Sequence, residues 1–217
     1  MMQLTKEQIQ QIEWYLDRKR LQYIDVRIEV LDHVISEIEQ ATNTVSFEKA
    51  FEKVKFKWNK LLEEDSSVYL GYAYVKPKVV VEKLKKYGKP HAIKIWSVFA
   101  IMLLLLNFKQ EVSFKGIQIL NFMAQVWIYI SAALILVGGF LIRKSKIKTS
   151  YSFLYNSQVL PYILFPFMLF GSFLTQSGGL DIFEIAMLLF SLFVCQLGIK
   201  LYKRHFLTVK KYSLKCS

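Results

Sequence analysis

The sequence predicts an all-α protein: a small cytosolic three-helix domain, an interfacial helix and a four-helix transmembrane bundle. Three observations carry that expectation. Apolar residues recur at helical spacing through roughly the first sixty residues. Four long apolar runs follow residue 91. Between the two halves stands Lys76–Lys94, with seven lysines against the single acid Glu82.

Composition supports the division. Hydrophobic residues make up 53% of the 217, aromatics make up 15%, and mean hydropathy is positive. A soluble fold of this size hardly needs that much apolar surface. Charge is uneven: net −3 over residues 1–65, +6 over 66–94 and +9 over 95–217. The positive excess therefore sits beside the apolar runs. A nucleic-acid binder would place it on the polar domain, so nucleic acid is not the expected partner. Cys195 lies in an apolar run and Cys216 in the tail. That is no disulfide framework, and it suits a reducing, cytosolic side. The N-terminus lacks a basic stretch followed by an apolar one, so no cleavable signal peptide is expected.

The first helix starts at Thr5, which can cap, with Gln8 closing the box and Leu4 and Ile9 forming a hydrophobic staple. Ile9, Ile12 and Leu16 share a face, and Arg18-Lys19-Arg20 suits the C-terminal dipole. In the second helix Ile24, Ile28, Leu31, Ile35 and Ile38 recur at alternating spacings of four and three. Residues 41–45 read as a loop. A third helix begins at Ser46, with Phe47, Ala50, Phe51, Val54, Trp58 and Leu61 on one face. About sixty residues is near the lower limit for an independent core, so docking or oligomerisation would help this domain.

Asp25, Glu29, Asp32, His33 and Glu37 form the one polar cluster on the second helix, with His33 four residues from both Glu29 and Glu37. A metal centre needs three or four ligands in fixed geometry. One histidine and no cysteine read better as a solvated acidic face with a modest local pair, so no metal and no cofactor are expected.

The run Asp25-Val-Arg-Ile-Glu-Val-Leu-Asp32-His33-Val-Ile-Ser-Glu37-Ile-Glu39, with Ser46-Phe-Glu-Lys-Ala50-Phe51, resembles the helical prefix domain called HAAS. It is also similar to multi-pass membrane proteins of unknown function from the Bacteroidetes, built on the same plan. The resemblance covers about residues 5–60. It implies a cytosolic helical prefix ahead of several membrane helices, and a gene that often neighbours a PadR-type regulator. It implies no catalytic residues.

In the basic stretch, Pro77 can open a short helix in which Val80, Val81, Leu84 and Tyr87 share a face, with Gly88 and Pro90 ending it. Tyr69, Tyr72 and Tyr74 suit a headgroup layer. Lys78, Lys83, Lys85, Lys86 and Lys89 are the candidates for lipid-headgroup contact. An ordinary topogenic flank accounts for most of this charge.

The apolar runs Ala92–Phe108, Ile119–Ile142, Phe153–Leu174 and Asp181–Ile199 each qualify as a span, the third despite Pro161 and Pro166. Their short connections favour an antiparallel bundle. Seventeen lysines and arginines flank one side, in the collar, the 143–148 loop and the tail. Only Lys109 and Lys115 flank the other, which predicts a bacterial inner-membrane protein with both termini cytoplasmic. The implied domains are residues 1–66 for the prefix, 67–91 for the collar, 92–202 for the bundle and 203–217 for a basic tail.

Asn121, Gln125 and Glu184 are the candidate intramembrane polar residues. Asp181 and Glu184 start the fourth span in a pattern that helix capping explains, and amides at such places usually bond neighbouring helices. Phosphate-loop, dinucleotide, nucleophile-elbow and zinc-protease motifs are missing, and His33, His91 and His205 lie in separate regions. The sequence thus points to a non-enzymatic membrane protein whose prefix binds a protein partner or a second copy through residues 5–62. The alternative is a small transporter or channel component.

Overall fold

The structure, a computed structural model, describes residues 3–67, 75–105, 117–164 and 181–213. It is all-α apart from one two-residue strand pair. The elements are α1 (Lys6–Arg18), α2 (Ile24–Ala41), α3 (Phe47–Leu61), β1 (Glu64–Asp65), β2 (Lys76–Pro77), α4 (Lys78–Leu105), α5 (Ile117–Lys144), α6 (Ser150–Leu154) and α7 (Ile182–Ser213). A π turn at Tyr155–Val159 and a 3-10 turn at Leu160–Leu164 extend α6.

The chain divides into two compact units. The first comprises Met1–Gly88, Ile147–Ser150 and Leu207–Ser217; the second comprises Lys89–Lys146 and Tyr151–Phe206.

In the first unit, α1 begins as its sequence dictates. Thr5 Oγ1 accepts from the Gln8 backbone N–H, and Gln8 Oε1 accepts from the Thr5 N–H. Two otherwise orphaned donors are thereby satisfied. Ile12 and Leu16 are fully buried. From α3, Phe47, Ala50, Val54 and Trp58 are buried. Tyr15 joins the two helices, with its hydroxyl 3.1 Å from Asn59 Oδ1 and its ring edge-on to Phe51.

The buried face of α2 differs from the expected isoleucine stripe. Val26, Val30, Val34 and Ile38 are the buried apolar residues, whereas Ile24, Ile28, Leu31 and Ile35 are half-exposed. The helix carries two apolar stripes about 100° apart, because residues four apart advance by only about 40°. Periodicity identified one stripe, and packing between α1 and α3 selected the other.

The strand pair was not foreseen: Glu64 pairs with Pro77 and Asp65 with Lys76, antiparallel. It leads straight into α4, whose Lys78 N–H donates to Glu63 O at 2.8 Å. Val80, Val81 and Leu84 are fully buried, so the expected apolar face exists but is covered by protein. The expected stop at Gly88 and Pro90 does not occur, and α4 runs unbroken to Leu105. Pro90 removes one backbone donor. Tyr69, Tyr72 and Tyr74 lie outside the described residues.

In the second unit, Trp127 Nε1–H donates to Ser191 Oγ at 2.9 Å, and Ser145 Oγ lies 3.0 Å from His205 Nε2. These pairs are offset by 64 and 60 residues, so α5 and α7 run parallel in nearly constant register. At 1.5 Å per residue the pairs stand about 27 Å apart along α5, close to the thickness of a hydrocarbon layer. Among the described residues, two stretches are long and apolar enough to cross a membrane, Asn121–Lys144 and Phe183–Tyr212. Only 28% and 44% of their apolar windows are buried. Phe122, Val126, Ile130, Val137 and Phe140 are exposed along α5. The expected four-span bundle is thus represented by two such helices among the described residues. Residues 106–108 of the first expected span and 165–174 of the third lie outside them.

Candidate functional site

The α2 N-terminus lacks a side-chain cap from Tyr23, and Asp25 stands in its first turn. A carboxylate is favoured there by the helix dipole. Asp25 does not lie on a solvated acidic face, as the spacing of acids on α2 predicts, but is 4% exposed. Its burial is supported by contacts from two distant parts of the chain. The Ser150 backbone N–H donates to Asp25 Oδ1 at 2.9 Å, and the Ser150 hydroxyl donates to Oδ2. Lys83 Nζ lies 3.3 Å from Oδ2 and donates also to Glu29 Oε2 at 2.6 Å. A buried carboxylate is tolerable only when paired and hydrogen-bonded in this way.

The backbone completes the clasp. Ile24 N–H donates to Lys148 O at 3.0 Å, and Lys148 Nζ reaches Gln22 Oε1 at 2.9 Å. Thr149 and Ser150 are fully buried. The 147–150 segment is therefore gripped by main-chain and side-chain hydrogen bonds together, as an integral part of the first unit. Lys146, just before it, takes a positive φ of 56°, which turns the chain where α5 has ended.

Electrostatics follow the geometry. Burial acts against the charged form of Lys83, but the bonds and charges of Glu29 and Asp25 outweigh it and raise its pKa. Tyr23 is pushed up to about 12 by burial and then by the Asp25 charge. The site thus holds a fixed carboxylate–ammonium pair beside a neutral phenol. The Ser150 hydroxyl and the Asp25 carboxylate that accepts from it are both buried, and no group of three or more metal-binding side chains occurs among the described residues.

Of the proposed headgroup lysines, Lys83 is turned into this clasp, Lys78 and Lys85 are half-buried, and Lys86 and Lys89 are exposed. Of the intramembrane candidates, Gln125 is exposed while Asn121 and Glu184 are half-buried. Asp181 caps α7, its Oδ1 accepting from the Phe183 and Glu184 N–H groups at 3.0 and 3.3 Å. Besides the Trp127–Ser191 pair, hydroxyl groups join the helices: Ser131 lies 3.3 Å from the Tyr162 hydroxyl, and Tyr155 donates to Ile135 O at 2.7 Å. Sequence reasoning singled out amides and missed these, because a serine or tyrosine in an apolar run carries no periodic signature.

No protein-family model matches the chain, and neither a curated protein nor a solved structure matches it.

Proposed function

We propose that this chain is a four-span bacterial inner-membrane protein with both termini cytoplasmic. In this reading its HAAS-type prefix serves as a non-enzymatic interaction and regulatory module. The observation that carries the reading is the Asp25 clasp. A buried carboxylate of the helical prefix holds the 147–150 segment, which follows directly on the span-length helix α5. A partner bound to the prefix would therefore act on the loop that α5 feeds.

Two further features suit a binding module. A polar concavity of ≈ 580 Å³ lies between the end of α2 and the middle of α3, lined by Glu37, Gln40, Lys53 and Lys57 among others. Phe56 on α3 is 84% exposed and Trp14 on α1 is 59% exposed, and aromatic residues of this kind commonly anchor protein interfaces. Crosslinking in native membranes is expected to trap a discrete cytosolic partner or a second copy through residues 5–62. Recovery of free monomer alone would refute the reading.

A further inference from the structure

A cavity of ≈ 300 Å³ opens between α5, the π turn and α7, lined by Gly138, Leu141, Tyr155, Cys195, Ile199 and Tyr202 among others. Its walls are the two helices long and apolar enough to span. Gly138 and Gly198 line it too, and their missing side chains let Tyr155 and Val159 pack closely against α5 and α7. Two tyrosines line it, Tyr155 and Tyr202; the Tyr155 hydroxyl is already committed to Ile135 O, and the rest of the lining is aliphatic side chains, glycine and one cysteine. Such a lining offers water little and an alkyl chain a great deal.

The ends of the same helices are basic. Lys144 follows Leu141 by three residues and Lys203 follows Ile199 by four, the spacings that keep residues on one helix face. Both lysines are exposed, and neither has an ion-pair partner among the described residues. Because α5 and α7 run parallel, their cationic ends lie together, about one turn beyond the cavity. The site therefore has an apolar slot and, at one end of it, two uncompensated positive charges.

We infer that this cavity binds one anionic phospholipid, with an acyl chain between α5 and α7 and its phosphate at Lys144 and Lys203. The inference rests on the membrane reading above and assigns that reading a specific lipid. Neutral lipid would fill the slot equally well but would leave both lysines unmatched, so selectivity comes from the headgroup.

The test uses the full chain in bilayers of equimolar phosphatidylglycerol and phosphatidylcholine, extracted in mild detergent and weighed by native mass spectrometry. Wild type is expected to retain one phosphatidylglycerol with a preference of about tenfold. Ile199→Trp, at the half-exposed rim, should lose the retained lipid. The double variant Lys144→Gln/Lys203→Gln, confined to exposed positions, should keep a lipid but lose the preference. Equal retention of both lipids by wild type overturns the proposal, as does unchanged selectivity in the double variant. Alkaline carbonate extraction separates the two readings. A chain that stays in the membrane pellet without selective lipid refutes only this site. A chain released to the supernatant refutes membrane insertion itself.

Discussion

Replacing Asp25 with alanine removes the centre of the clasp, and the size of the effect follows from what is left behind. Two donors lose their acceptor, the Ser150 N–H and the Ser150 hydroxyl, and the Lys83 ammonium loses one counter-charge while keeping the Asp25 backbone O. Hydrogen bonds to charged groups contribute about 1.5–3 kcal/mol each, but they are not additive here. Lys83 keeps Glu29, whose side chain is 56% exposed, so its loss is partial. Ser150 is fully buried, so its N–H has no ready replacement partner. Removing one member of a buried pair usually costs about 3–5 kcal/mol, and the retained Glu29 contact sets the expectation near 3 kcal/mol. That corresponds to about a hundredfold rise in the opening equilibrium of the 147–150 segment.

Hydrogen exchange resolved by mass spectrometry reads this directly. Peptides covering Ile24 and Ser150 should exchange about a hundredfold faster in Asp25→Ala, while those covering α1 should be unchanged. Ser150→Ala, which keeps the N–H bond, should accelerate exchange only about fivefold. Unchanged exchange at Ile24 and Ser150 in Asp25→Ala would show that the carboxylate does not hold the loop.

Alkaline titration gives a second outcome. Lys83, Tyr15 and Tyr23 all have folded pKa values raised above their unfolded ones, the two tyrosines to about 12. Each therefore contributes stability below its unfolded pKa and loses it as pH rises through the folded value. The prefix should be unaffected at neutral pH and should unfold as pH climbs from about 10 toward 12, with tyrosinate absorbance rising late. In Asp25→Asn, Tyr23 should ionise at lower pH, because one of the two causes of its shift is gone. Gly138 gives a third. A Cβ there would collide with the Tyr155 hydroxyl, which is held by Ile135 O. Crowding should outweigh the usual helical gain of alanine over glycine, so Gly138→Ala should destabilise by about 1–3 kcal/mol in thermal unfolding. Adding Tyr155→Phe should recover part of that loss, and full additivity of the two substitutions would refute the contact.

The sequence by itself determined what depends on near neighbours along the chain. The Thr5–Gln8 box, the start of α3 after Ser46 and the Asp181 cap are local patterns, and each is present. The apolar runs over α5 and α7 were equally legible, since length and hydropathy suffice to find them. Tertiary structure decided what depends on coverage. Spacing identifies residues that share a face but not what lies against it. The valine stripe of α2 was therefore chosen over the isoleucine stripe only by packing. Gly88 and Pro90 read as a local stop, yet α4 continues through both. Asp25 reads in sequence as one acid among several on α2. It becomes a buried clasp because Ser150 and Lys83, distant in the chain, deliver two donors and a charge to it. Burial of a carboxylate is a free-energy balance between desolvation and partners, and those partners exist only once the chain has folded.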